Sequence, residues 1–338
     1  MGYGIRFFKT FEVLLFKLLE YLDLYRAKKS LVAVPSLATR SYTLIQAVVY
    51  NGTQEEVLGY RPRRLLHRIL RGLPDLEAYE SVKFQLAVTE NAIRTIEAST
   101  ENRGFVNLQL PWQMPWRCPK SAWIRMQPLG VETLLGRIPL GDYEVISHPV
   151  YFLGDDIERV IVSDIDDTIK DSRILETTGF KKIVSGLFLG HYYTYEPLQG
   201  MAEIYQALAA KGCLIVYVTS TPYQLTPFLL KFLKQCQFPE GPVFPRWLGY
   251  GRVRHKWRTL LRLLSQLEKQ RCVLIGDSGE QDLHVYRRIC ETANFGDRVE
   301  RVLIRHVPGT PVQKALHPRE IFYGDVKELK AQLSYLLT

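Results

Sequence analysis

Residues 159–172, Arg-Val-Ile-Val-Ser-Asp-Ile-Asp-Asp-Thr-Ile-Lys-Asp-Ser, constrain the fold more than any other stretch. The β-branched run Val160, Ile161 and Val162 predicts a buried strand. It delivers Asp164, Asp166, Asp167 and Thr168 at its C-terminal end, the edge at which open α/β sheets place their chemistry. Acids this close repel one another, and burying them is costly unless a cation or a proton compensates. The cluster therefore predicts a divalent metal site. Capping of the following turn explains one acid, since Asp is a good N-cap and turn residue, but explains three poorly.

Beyond this stretch, strand and helix alternate. Helices are expected over 201–211, about 223–235, 255–269 and about 280–292, with strands at Leu214–Val218, near Val243, at Val273–Ile275 and at Val299–Ile304. Such alternation implies parallel pairing and right-handed crossovers. The expectation is a doubly wound, Rossmann-type α/β catalytic domain over residues 151–310, followed at 311–338 by a loop and a helix near 326–337.

The later strand ends carry groups suited to the acids. Thr219 follows the second strand, Lys256 opens the helix after His255, and the fourth strand runs into Gly276-Asp277-Ser278-Gly279-Glu280-Gln281-Asp282. Taken singly, a strand-end threonine or a helix-start lysine means little; their order around the acid pairs is specific. Oxygen ligands with no His or Cys cluster favour a hard cation such as Mg²⁺, which keeps several waters and shares substrate phosphate.

The N-terminal half reads differently. Over residues 30–150 apolar and polar residues alternate with period two, as at Val82, Phe84, Leu86 and Val88, and turn signals such as Asn51-Gly52 separate the runs. Strands are expected at 42–50, 82–88, 93–98, 106–110, 122–127 and 143–147, forming a mostly-β, sandwich-like domain. Residues 5–29 form an amphipathic helix with both charge signs on its polar face, which suits packing on the protein itself better than a membrane interface. Residues 63–71, Arg-Arg-Leu-Leu-His-Arg-Ile-Leu-Arg, form a basic helix that suits anionic lipid and simple solvation equally.

Composition bounds the function classes. A chain of 338 residues suggests two domains, and the net charge of +9 fits an anionic partner or merely a solvated basic face. Five cysteines without C-x-x-C spacing indicate neither a disulfide framework nor a thiolate zinc site, and fit a reducing cytoplasm. No apolar run reaches transmembrane length, and charges interrupt the first 29 residues too often for a signal-peptide core. No motif of the common nucleic-acid-binding modules occurs.

The order Asp164-x-Asp166-x-Thr168, Thr219, Lys256 and Gly276-Asp277…Asp282 resembles the four motifs of the haloacid dehalogenase superfamily of phosphohydrolases, over about residues 155–305. The longer wording Ser-Asp-Ile-Asp-Asp-Thr-Ile-Lys-Asp, the stretch Ser220 to Leu225 and His255-Lys256 resemble its Mg²⁺-dependent phosphatidate phosphatase family, typified by fungal actin-patch proteins and bacterial relatives. Thr219-Ser220 departs from the expected Ser-Asn, keeping the hydroxyl and losing the amide.

The resemblance implies Asp164 as nucleophile, Asp166 as acid and base, and Thr219 and Lys256 on the phosphoryl oxygens. It assigns the metal group to Asp164, Asp166 (through its carbonyl), Asp277 and Asp282, the last orienting a bound water or Lys256. Thr168 and Ser220 are expected beside the substrate, and Lys181 and Lys182, in the aromatic segment 172–200, near a lipid headgroup. Asp167 is expected to shape the turn. The implied reaction is hydrolysis of phosphatidate to diacylglycerol and phosphate at a cytoplasmic membrane face. A soluble phosphomonoester is the alternative substrate, and a non-catalytic adaptor for acidic lipid the alternative class.

Overall fold

The structure is a computed structural model, and it describes residues 29–39, 42–51, 81–87, 93–99, 105–111, 121–133, 136–138, 146–171, 196–247 and 251–337. The expected helices at 5–29 and 63–71, and the segment carrying Lys181 and Lys182, lie outside these residues. The chain divides into two compact units, one of Met1–Val32, Ala47–Asn107 and Arg125–Ser147, the other of Ala33–Gln46, Leu108–Ile124 and His148–Thr338.

The strands before residue 153 are β1 (Lys29–Val34), β2 (Ser36–Ala38), β3 (Tyr42–Asn51), β4 (Ser81–Ala87), β5 (Ile93–Ser99), β6 (Phe105–Pro111), β7 (Ser121–Thr133), β8 (Gly136–Ile138) and β9 (Ile146–Phe152). They form sheet structure separate from that of the catalytic domain, as the period-two pattern predicts. Within the first unit β4 pairs antiparallel with β5 and β7, and β7 with β8. Within the second, β2 pairs parallel with β9, Val243 N donates to Pro35 O at 2.9 Å, and Gln46 Nε2 donates to Val243 O at 3.1 Å.

The second sheet has six strands, all parallel: β10 (Arg159–Ser163), β11 (Leu214–Pro222), β12 (Val243–Arg246), β13 (Arg271–Asp277), β14 (Val299–Arg305) and β15 (Glu320–Tyr323). Their spatial order is β12-β11-β10-β13-β14-β15. The chain therefore builds outward from β10 to one side, returns, and builds to the other. The carboxyl ends of β10 and β13 flank the switch point, where doubly wound sheets bind ligands.

The helices are α1 (Met201–Ala210), α2 (Thr226–Gln235), α3 (Arg252–Leu264), α4 (Asp282–Glu291), α5 (Val326–Gln332) and α6 (Ser334–Leu337). Val160 and Val162 join a core with Leu260, Leu263 and Leu264 of α3 and Val285 and Ile289 of α4. The opposite face of β10 meets α1, where Ser163 Oγ and Tyr205 Oη lie 2.7 Å apart. Because both faces are covered, Val160, Ile161 and Val162 are fully buried, each contributing about 1.5–3 kcal/mol.

Several boundaries differ from the sequence expectation, among them the end of the helix expected over 255–269, which stops at Leu264, and the strand expected at 143–147, found at Ile146–Phe152. The tail is not a simple loop and helix: Glu320–Tyr323 adds a sixth strand, and the terminal helix is broken into α5 and α6. A four-residue strand after a proline-punctuated loop is too short for periodicity to show. Strand β11 continues through Thr219 to Pro222, and α3 begins at Arg252, which places Lys256 a full turn into the helix rather than at its start.

Candidate active site

Asp164 follows the last residue of β10, and its amide donates to Ile275 O of β13 at 2.9 Å. The backbone then turns tightly, with the amides of Ile169 and Lys170 both donating to Ile165 O at 3.1 Å. Asp167 takes a left-handed conformation, φ 56°, and its carbonyl accepts from the buried Arg305 Nη1 at 2.7 Å. This turn brings Thr168 Oγ1 to 3.4 Å from Asp164 Oδ2. Asp167 thus shapes the loop, as expected, while Arg305 anchors it from β14.

Lys256 is the electrostatic hub. Its ammonium, 2% exposed, donates to Asp164 Oδ1 at 2.8 Å, contacts Asp282 Oδ1, and lies 3.8 Å from Glu280 Oε2. Burial alone lowers a lysine's affinity for its proton, but Asp164, Asp282 and Glu280 reverse this and hold it charged above the ordinary lysine range. Burial pushes Asp164 well above the usual carboxylate range; Lys256 opposes, while Asp282, Asp277 and Glu280 reinforce.

Asp164, Asp277 and Asp282 are buried and offer one oxygen each within 4.8 Å of one another. Asp277 Oδ1 accepts from the amides of Gly279 at 2.6 Å and Glu280 at 2.8 Å, whereas its Oδ2 is buried without a hydrogen-bond partner. Burial, then the neighbouring Asp282, pushes Asp277 up to about 8. Glu280, whose other oxygen pairs with Arg252 Nη1 at 2.8 Å, brings the carboxyl groups around Lys256 to four. An all-oxygen donor set with surplus buried negative charge and an orphaned carboxylate oxygen fits a hard divalent cation. Asp164, Asp277 and Asp282 are the residues placed to hold it.

Asp166 enters this set by neither of its carboxylate oxygens; the sequence expectation brings only its carbonyl to the metal. Lys170, buried and four residues on, contacts its Oδ1; Thr221 Oγ1 donates to its Oδ2 at 2.6 Å and Thr219 Oγ1 at 3.3 Å. Burial disfavours the carboxylate here, yet Lys170, Thr221 and Lys256 outweigh it and hold the group down at about 2. Thr219 itself accepts from the amide of Thr221 at 3.0 Å. Ser220 is buried beside it, its hydroxyl without a hydrogen-bond partner and its carbonyl bonded to Arg246 Nε at 2.8 Å.

The structure thus gathers Asp164, Thr168, Lys256, Asp277 and Asp282 in one group and Asp166 with Thr219 in an adjoining one. Sequence reasoning passed over Lys170, Thr221, Glu280 and Arg305. Two of these carried a readable signal: Thr221 stands two residues from Thr219 on one face of a strand, and Lys170 stands at i+4 from Asp166.

The strand order, with Asp164 at the switch point and Lys256 reaching it from α3, is that of a haloacid dehalogenase-like α/β domain. Residues 159–306 match the family model described as phosphatidate phosphatase APP1, catalytic domain. An uncharacterized protein of Schizosaccharomyces pombe is 30% identical over 155 residues, covering 44% of this chain and 25% of that protein. Phosphatidate phosphatase APP1 of Saccharomyces cerevisiae is 26% identical over 170 residues, 48% of this chain and 28% of that protein. The chain thus spans about a quarter of the length of the curated relatives it matches. The crystal structure of a HAD family hydrolase from Deinococcus radiodurans R1 with bound phosphate and sodium aligns with TM-score 0.35 and 15% identity, over 54% of this chain and 96% of that one.

Proposed function

We propose that this chain is a Mg²⁺-dependent phosphatidate phosphatase, a phosphoric monoester hydrolase working through an aspartyl-phosphate. The observation that carries the chemistry is the buried Asp164 carboxylate, held at the end of β10 between Lys256 and Thr168 beside Asp277 and Asp282. Asp164 attacks phosphorus, and the bond from phosphorus to the leaving alcohol oxygen breaks. The proton for that oxygen comes by way of Asp166: its carboxylate, held ionised in the free protein, takes up a proton as the anionic ester binds beside it and passes it to the leaving oxygen. In the second half Asp166 takes a proton from the attacking water, which cleaves the acyl-phosphate bond, frees phosphate and restores Asp164.

Lys256 and Thr168, both at Asp164, are placed to meet phosphoryl oxygens, where charge is spread in the transition state. Thr219 gives its one hydroxyl proton to Asp166, so its part is to orient that carboxyl group. Asp164, Asp277 and Asp282 would hold a hard cation, which would supply positive charge to offset the repulsion between an anionic nucleophile and an anionic ester.

The lipid substrate rests on the family match, on the description of the Saccharomyces cerevisiae relative, and on the aromatic, lysine-bearing segment 172–200. The test is Mg²⁺-dependent phosphate release from mixed-micelle phosphatidate, wild type beside Asp164→Asn, with glucose phosphates and a nucleotide monophosphate as competitors. Lipid hydrolysis that vanishes in the variant is the expected result. Activity confined to soluble esters keeps the mechanism and removes the lipid; activity on nothing removes both.

A further inference from the structure

We infer that the loop between β14 and β15, residues 308–319, is a membrane-contact element of the catalytic unit, which lays Val312 and Leu316 into the surface of an anionic bilayer. The inference deepens the lipid reading above and rests on it for the substrate, not for the surface itself.

Val312 is 83% and Leu316 77% exposed, and among the described residues these are the large apolar side chains left in water. Single exposed apolar residues are ordinary, so exposure alone means little. What distinguishes this pair is its setting. The two side chains stand four residues apart on one loop, and the backbone beneath them is fastened to the domain. Thr310 Oγ1 lies 2.8 Å from Ser278 Oγ, Arg287 Nη2 donates to Lys314 O at 2.6 Å, and Leu316 N donates to Glu320 Oε2 at 2.9 Å. Glu320 is itself held by the Arg287 guanidinium at 2.7 and 2.9 Å. A loop pinned in this way cannot easily turn its apolar side chains inward to escape water.

Charge indicates the partner. The strands of the sheet are parallel, so the loop leaves β14 at the edge where Asp164 and Asp277 lie and crosses to the opposite edge, where β15 begins at Glu320, the partner of Leu316 N. The loop's start is bonded to Ser278, the neighbour of Asp277, through both Val307 N at 3.0 Å and Thr310. From His306 to Arg319 the sequence contains no acid. The exposed Lys314 stands between the two apolar residues, while Arg319 is engaged with Asp297 Oδ1 at 3.5 Å and Gly296 O. Apolar side chains flanking a cation suit the boundary between acyl chains and anionic headgroups. The excess charge of +9 on the whole chain acts in the same direction.

The full chain tests this in three parallel assays, comparing wild type with Val312→Ser/Leu316→Ser and with Lys314→Gln. Sedimentation uses vesicles of phosphatidylcholine with phosphatidylserine, which is anionic without being a phosphomonoester; the other assays follow hydrolysis of vesicle-borne phosphatidate and of soluble p-nitrophenyl phosphate. The double variant should lose about tenfold in vesicle binding, as expected for removing two partly inserted apolar side chains. It should lose vesicle-borne turnover in parallel and keep its rate on the soluble ester. Lys314→Gln should weaken binding at low salt by a smaller factor that added salt erases. Binding unchanged in both variants, or no wild-type binding, as for a loop that meets a protein instead, overturns the inference. So does equal loss on the soluble ester. If wild type binds through these residues yet hydrolyses only soluble esters, the surface stands and the phosphatidate reading falls.

Discussion

Lys170 is ion-paired with Asp166 four residues before it, and the lysine is almost wholly buried. With Thr221 on the other oxygen at 2.6 Å, both sides of the Asp166 carboxylate are fixed by partners that lie outside the familiar motif positions. If Asp166 delivers the proton to the leaving group, its aim depends on these two residues.

The expected signature is a dependence on the leaving group. An alkoxide needs a proton to depart, whereas nitrophenolate does not. In Thr221→Val the Oδ2 atom keeps only the 3.3 Å bond from Thr219 among its hydroxyl donors. The variant should lose about tenfold in kcat on alkyl phosphates, part of the ~10²–10⁴ that general acid catalysis supplies, with kcat on p-nitrophenyl phosphate nearly unchanged. Lys170→Met should show the same split. Equal losses on both substrates would mean that the pair serves only to fold the loop.

A second prediction concerns pH and metal. Burial and Asp282 push Asp277 up to about 8, and burial pushes His255 down to about 4. In the unfolded chain such groups titrate near ~4 and ~6.5. Above about pH 6.5 the histidine is neutral in both states, while folded Asp277 retains a proton that the unfolded chain has released. The folded state then binds more protons, so stability falls as pH rises toward 8. Below pH ~6.5 the buried histidine acts in the opposite sense, because the unfolded chain takes up a proton that it refuses. Thermal melts in chelator should show Tm dropping between about pH 6.5 and 8, and Mg²⁺ should flatten that drop by stabilising the ionised acids. A metal-free Tm that is flat across this window would contradict the electrostatic account of the pocket.

How much of this was legible in the chain depends on how local the cause is. The acid pairs follow apolar runs long enough to predict strands, and the alternation of strands and helices implies the parallel order that brings Asp164, Asp277 and Asp282 to one edge. The rotamer of Asp166 is not local: it is decided by Thr221, from the next strand, and by a lysine whose burial depends on the fold around it. The start of α3 was obscured for another reason. Its N-cap is Gly251, which has no side chain to announce the helix, so the periodic pattern shows only from His255 onward.

Gly276 is required by close approach. A Cβ placed there would lie 2.6 Å from Asp282 Oδ2, 2.8 Å from Asp282 Cβ and 2.9 Å from Tyr286 Cε2. Gly276→Ala must therefore push α4 or Asp282 aside, and with Asp282 moves one of the three acids and a partner of Lys256. The expected cost is about 1–3 kcal/mol in urea unfolding, as for overpacking elsewhere. The stabilisation that Mg²⁺ gives to the wild type should shrink as well. Retention of both stability and the Mg²⁺ response would show that α4 yields without disturbing the acids.

Asp167 separates conformation from chemistry. Its φ of 56° lies in the left-handed region, which Asn and Gly adopt readily and a β-branched residue resists. Its carbonyl receives Arg305 Nη1 at 2.7 Å, an interaction that any residue holding this conformation preserves. Asp167→Asn should consequently retain activity within about threefold, whereas Asp167→Val should lose about 1–3 kcal/mol of stability and, by tilting the turn, most of its turnover. Arg305→Ala, which removes the anchor and leaves the left-handed residue in place, should lower kcat without a matching rise in KM, because the acids it positions act after the substrate is bound. Loss of activity in Asp167→Asn with stability intact would place the Asp167 carboxylate in the reaction itself.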